Sequence, residues 1–134
     1  MPPLFIGNNV IELESVDSTN NYAKELLRKE KLPDGTLIIA HEQYNGRGQQ
    51  DKHWLAEKGK NLTVSFILYP NFLDADKQFF LNMAISLGVK DFCECVLGEE
   101  IKIKWPNDIY CGNNKLGGIL IENTINGNKE IGRA

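Results

Sequence analysis

A chain of 134 residues with a formal net charge of -3 and a pI near 5.4 is the size of one domain, and its acidic balance argues against a general nucleic-acid-binding surface. No apolar run reaches the roughly 18 residues that a membrane span needs, and Met1-Pro2-Pro3-Leu4-Phe5 lacks the basic and apolar regions of a signal peptide. Cys93, Cys95 and Cys111 contain no C-x-x-C pair, and His41 and His53 are too sparse for a metal cluster, so a cytoplasmic protein with reduced thiols is expected.

Val10 to Val16 sets Val10, Ile11, Leu13 and Val16 against Glu12 and Glu14, the pattern of a half-buried strand. Asp17-Ser18-Thr19-Asn20 then offers N-caps to an amphipathic helix with Tyr22, Ala23, Leu26 and Leu27 on one face, ended near Pro33-Asp34-Gly35. Thr36 to Ala40 reads as a short apolar strand. Gln43 to Lys60 is polar and rich in Gly, Lys and Gln, with few apolar anchors. A long irregular segment of that kind in a compact domain is usually functional or disordered, and this one is expected to be the most disordered part of an unliganded crystal. Asn61 to Tyr69 predicts a strand, with Leu62, Val64, Phe66 and Leu68 alternating against Thr63, Ser65, Ile67 and Tyr69. Ala75 to Val96 predicts a helix whose wide apolar stripe is Phe79, Phe80, Met83, Ala84, Leu87 and Phe92. Strands follow at Ile101 to Trp105, Ile109 to Cys111 and Leu116 to Asn123, and a turn at Asn126-Gly127-Asn128 leads into one that barely begins before Ala134. Such an order predicts an α+β domain over residues 1–134: a mixed, mainly antiparallel sheet flanked by helices, with no internal repeat or linker.

Two segments carry chemistry. Gln43-Tyr44-Asn45-Gly46-Arg47-Gly48-Gln49 places glycines on both sides of a guanidinium, so backbone can approach a ligand while Arg47 offers a fork to carboxylate or phosphate oxygens. Lys104-Trp105-Pro106-Asn107-Asp108 and then Lys115-Leu116-Gly117-Gly118-Ile119-Leu120-Ile121-Glu122 bring a carboxylate, an amide and two lysines to strand ends. Two or three cations beside an aromatic, Trp54, suit a ligand that bears a carboxylate, phosphates and a purine, and hence activation of a carboxylic acid with ATP. Lys104 stays open between site cation and solvent-facing residue, and Trp105 reads as core. No P-loop and no dinucleotide fingerprint occurs.

The order D-S-T-N, Q-x-x-G-R-G with a following W, K-W-P-N-D and K-L-x-G-I-L-x-E resembles the biotin protein ligases over nearly the whole chain. That resemblance implies a fold related to class II aminoacyl-tRNA synthetases and a reaction in which MgATP converts biotin to biotinyl-5′-AMP. The biotinyl group then passes to one lysine of a biotin carboxyl carrier domain. It also implies site residues: Ser18, Thr19, Asn20 and Gln43 around the ureido ring, and Gly46, Arg47, Gly48 and Gln49 over the carboxylate and phosphate. Trp54 falls near adenine, Asn107 near the adenylate, Asp108 near the incoming lysine, and Lys115 on the carboxyl group and α-phosphate. Arg47, Lys115 and Asp108 are the expected catalytic groups; the metal ligands are not assigned.

Departures from the family pattern matter here. Gln49, Asp51 and Lys52 stand where many members have a richer arginine loop, which removes a cation from the phosphate. Family cores continue beyond a G-x-G-x-N strand, so an incomplete catalytic domain is expected, with an exposed sheet edge that favours self-association as a homodimer. No helix-turn-helix is seen before Val10, so repression on DNA is not expected. A lipoate–protein ligase or octanoyltransferase shares the acyl-transfer logic and is the nearest alternative. A biotin-binding fragment without catalysis is the other.

Overall fold

The computed structural model describes residues 6–48, 50, 52–70, 73–105, 107–126 and 129–133, with backbone alone at residue 75, 124–126 and 129–133. Strand β1 (Val10–Val16) and strand β2 (Thr36–Gln43) are joined through helix α1 (Thr19–Lys29) and pair in parallel, with Val10 opposite Leu37 and Val16 opposite Gln43. A parallel pair requires a crossover, and α1 supplies it. Ser18 caps α1 from extended backbone, its Oγ accepting the Asn21 N–H at 3.3 Å; Arg28 and Lys29 face the negative end of the helix dipole.

Two further strands, β3 (Gly46–Arg47) and β4 (His53–Trp54), make an antiparallel ribbon out of the segment expected to be irregular. Its turn is held by the Gly48 N–H donating to the Lys52 carbonyl at 2.6 Å. Strand β5 (Thr63–Leu68) runs antiparallel to β2, with Ile38 opposite Ser65. A 3-10 turn (Ala75–Lys77) leads into α2 (Gln78–Leu97), which ends at Gly98 with φ 68°, the left-handed cap that glycine adopts freely. Strands β6 (Lys102–Lys104), β7 (Asp108–Cys111) and β8 (Asn114–Gly118) form an antiparallel sheet of three. Last come β9 (Glu122–Asn126) and β10 (Lys129–Arg133). The main sheet has the order β1-β2-β5-β10-β9, mixed only at its first pair.

The expected strand over Leu116 to Asn123 is two strands in different sheets, because the chain leaves the ladder between Gly118 and Glu122. Nor does the last strand barely begin: β10 pairs with β5 on one side and with β9 on the other. The alternation in β5 has the opposite sense to the one a core-facing apolar row implies. Ser65 and Ile67 are fully buried, whereas Leu62 is 73% exposed just before the strand. Both faces of this strand carry apolar residues, and α1 decides between them by packing Ala23 over Ile38 and Ile67, with Leu32 completing the cluster. Ile11, Leu13, Tyr22, Leu26, Leu27 and Tyr69 pack around it.

Helix α2 departs further. Phe79, Phe80, Met83, Ala84, Leu87 and Phe92 are exposed among the described residues, and the one buried residue of the helix is Ser86. Trp105, read as core, is 68% exposed and lies on the Phe79 ring with centroids 5.7 Å apart. Among the described residues no helix is long and apolar enough to cross a membrane.

Candidate functional site

The N-terminus of α1 is the polar centre of the molecule. Ser18, Thr19 and Asn20 are all buried, side by side, in the first turn. The Thr19 backbone N–H donates to Gln43 Oε1 at 3.0 Å, and the Thr19 hydroxyl lies 3.4 Å from the same oxygen. From β5, the Ser65 hydroxyl donates to Asn20 Oδ1 and sits 2.7 Å from Thr19 Oγ1. Asn20 spends its amide hydrogens on the Leu120 carbonyl at 3.3 Å and on Glu122 Oε1 at 3.2 Å. Buried polar atoms cost free energy unless paired, and this cluster pairs most of its own while presenting hydroxyls and an amide that serve as both donors and acceptors.

Ribbon β3–β4 lies against that cluster because Gly46 lets it. A Cβ there would stand 2.5 Å from Gln43 Nε2 and 2.6 Å from the Trp54 carbonyl oxygen. One residue on, Arg47 donates to Glu122 Oε1 at 2.5 Å, which ties the ribbon to the main sheet. Arg47 Nε is buried with no hydrogen-bond partner among the described residues. Gly48 holds the ribbon turn through its backbone. Gln49 lies outside the described residues.

Through its other strand, opposite Gly46, the ribbon meets the small sheet. The Lys115 ammonium stands 4.8 Å from the Trp54 ring centroid and 3.1 Å from Asp108 Oδ1. The Trp54 ring reaches to within 3.4 Å of where a Gly118 Cβ would be. Opposite charge and an aromatic face thus hold Lys115 beside the ribbon, half-exposed and free to meet an anion.

The expected residues therefore fall into two neighbouring groups. Ser18, Thr19, Asn20, Gln43, Gly46 and Arg47 form one; Trp54, Asp108 and Lys115 form the other. Asn107 sits elsewhere: it is buried, its Oδ1 accepts from the Ser86 hydroxyl at 3.3 Å, and its carbonyl accepts from the Ile119 N–H at 3.1 Å. Its visible work is to fasten α2 to the end of the small sheet. Lys104 is exposed, sits across the ladder from Asp108 and sets its ammonium over the Tyr110 ring at 5.7 Å. Sequence reasoning missed Ser65 and Glu122. Glu122 closes the K-L-x-G-I-L-x-E pattern, and a carboxylate after an apolar run was a signal that went unused; Ser65 gave none beyond its place in an alternating strand.

A cluster of buried polar side chains at a helix N-terminus, tied by Arg47 to a two-stranded ribbon beside a mixed sheet, characterises this α+β domain. The pattern of the Biotin/lipoate A/B protein ligase family matches residues 12–132, and the chain belongs to that family. The bifunctional ligase/repressor BirA of Bacillus spizizenii is 33% identical over 117 residues, 87% of this chain and 35% of that protein. Biotin–[acetyl-CoA-carboxylase] ligase of Paracoccus denitrificans is 31% identical over 120 residues, 86% of this chain and 47% of its own. Among solved structures, biotin protein ligase from Aquifex aeolicus in complex with biotin and ATP superposes with a TM-score of 0.67 at 31% identity, covering 94% of this chain and 51% of that one. The Leishmania major biotin protein ligase in complex with biotin gives 0.73 at 26% identity, with 94% and 55% covered. The fold is that of biotin protein ligase catalytic domains, and the chain spans about a third to a half of the length of these relatives.

Proposed function

We propose that the protein activates biotin with MgATP to biotinyl-5′-AMP and passes the biotinyl group to a lysine of a biotin carboxyl carrier domain. The observation that carries this reading is the junction of Arg47 with the Thr19–Asn20–Gln43 cluster, which sets a polar ring site on α1 and β2 beside an anion site on the ribbon. A ureido ring needs donors and acceptors together, as hydroxyl and amide side chains supply. Its carboxylate then lies toward Arg47 and Lys115.

In the first step a carboxylate oxygen attacks the α-phosphorus and pyrophosphate leaves; Arg47 and Lys115 offset the charge that builds on the phosphoryl oxygens. Mg²⁺ enters with the nucleotide, on its phosphate oxygens, as part of the substrate. Trp54 offers the adenine a face next to Lys115. In the second step the carrier amine attacks the acyl carbon and AMP leaves. Asp108, held 3.1 Å from Lys115, attracts the incoming ammonium and accepts its proton. The mixed anhydride must be kept from water between the steps, a task for the polar segment of residues 43–60 that carries the ribbon. Asn107 acts from beneath, by placing Asp108. The free thiols of Cys93, Cys95 and Cys111 suit a reducing cytoplasm. Self-association into a homodimer is the assembly we propose.

Native mass spectrometry after incubation with MgATP and equimolar biotin and lipoate tests the reading. A bound mass equal to biotinyl-adenylate is expected. A lipoyl-adenylate mass would favour a lipoate ligase, and biotin bound without adenylate would favour a binding fragment.

A further inference from the structure

Arg47 is held by one contact that no expected ligand residue makes. Glu122, the first residue of β9, accepts from the Arg47 guanidinium at 2.5 Å and from the Asn20 side-chain amide at 3.2 Å, through the same oxygen. Asn20 in turn takes the Ser65 hydroxyl on its carbonyl oxygen. A single carboxylate therefore links the polar cluster at the α1 N-terminus to the cation of the ribbon. Only 30% of the Arg47 side chain and 22% of the Glu122 side chain is accessible, so water screens the pair weakly. Arg47 Nε, meanwhile, is buried and unpartnered among the described residues. A buried donor without an acceptor is costly, so Arg47 is held in place by its bond to Glu122 and not by its own Nε.

From this geometry we infer that Glu122 is a positioning residue: it fixes the Arg47 guanidinium through Nη2 so that the accessible part of the fork stays presented to the ligand's carboxylate. Glu122 touches neither substrate nor reacting atoms. It acts through Arg47, and through Asn20 it sets the distance between the ring site and the anion site. Three residues between Gly118 and Glu122 leave the ladder, which is what lets a β9 side chain reach back to α1 and the ribbon. The inference rests on the biotin reading proposed above and says how that site measures the length of its ligand.

The test compares biotin with its uncharged carboxamide by calorimetric titration of the full chain and of Glu122→Gln, Arg47→Ala and the double variant. Glutamine keeps an acceptor for Asn20 but removes the charge that orients Arg47. The preference for biotin over the carboxamide should fall by about tenfold in Glu122→Gln, the scale of one charge-assisted hydrogen bond. It should fall no further when Glu122→Gln is added to Arg47→Ala. Equal losses for both ligands would mean that Glu122 merely supports the fold, and an unchanged or raised preference would equally overturn the inference. Should Glu122→Gln lack a cooperative melt, Glu122→Asp keeps the charge with a shorter reach and should lower the same preference. A wild-type chain that binds neither ligand would overturn the biotin reading and this inference with it, whereas binding with an unaltered ratio overturns this inference alone.

Discussion

A methyl group at Gly46 would overlap both Gln43 Nε2 and the Trp54 carbonyl oxygen, and the second cannot move without opening the ribbon. Gly46→Ala should therefore cost about 1–3 kcal/mol of stability, as overpacking does, and push Gln43 from its bond to the Thr19 N–H. A lower melting temperature together with weakened biotin binding is the expected pair of results; a melt and a titration equal to wild type would show that the ribbon yields. At this scale the sequence was a good guide wherever chemistry demands a residue type. Ser18, Thr19, Asn20, Gln43, Gly46 and Arg47 meet as the motif order implied. It was a poor guide for Trp105. An indole in an apolar strand has no signature that tells a core position from a surface stack. Ser65 was invisible for the same reason, since a serine in an alternating strand reads as solvent-facing until the helix that covers it is placed.

Elements were legible where periodicity is clean. Strand β1, helix α1 and helix α2 fall within a few residues of their expected spans, and the Ser18 cap is visible in the chain itself. The ribbon was not: two residues on each strand are too short for any alternation, and only the fit of Gly46 against Trp54 creates them. Helix α2 carries a pH-dependent contact of its own. Lys90 and Glu94, one turn apart, form a charged hydrogen bond, and Glu94 also accepts the Ile101 N–H at 3.4 Å, where α2 hands over to β6. The lysine holds the Glu94 carboxyl below its ordinary value, and Glu94 holds the Lys90 ammonium above its own. A carboxyl lowered by folding stabilises above its unfolded-state value and loses that contribution as pH falls through the folded-state value. Glu94→Gln should therefore melt below wild type at pH 7, and the gap should close as the pH is taken below the carboxylate range. A gap that stays constant down to pH 3 would locate the effect in packing instead.

Across the whole molecule, two sheets meet at the ribbon: Arg47 binds it to Glu122 of the main sheet, and Trp54 binds it to Lys115 of the small one. The α+β class and the mixed pairing were readable from element order, but the division into a main sheet, a small sheet and the ribbon was not. Nothing in Leu116 to Asn123 marks the place where the ladder breaks, because apolar residues continue through it. The exposed face of α2 was equally unreadable, since a stripe of Phe, Met and Leu says that a surface is apolar and not what lies over it. The junction at Trp54 also makes the protein its own optical instrument. Only two indoles are present, and Trp105, just past the small sheet's first strand, stands 68% exposed against Phe79. In Trp105→Phe the remaining emission comes from an indole beneath an ammonium, so any anion that draws Lys115 away should change its intensity and wavelength. Titrating that variant with MgATP should give a saturable fluorescence change that Lys115→Met makes smaller, adenine alone then meeting the ring, and changes of equal size would mean that Lys115 stays on the ring when nucleotide arrives. The residue that clamps the ribbon would then report, without a label, the moment at which the clamp is exchanged for substrate.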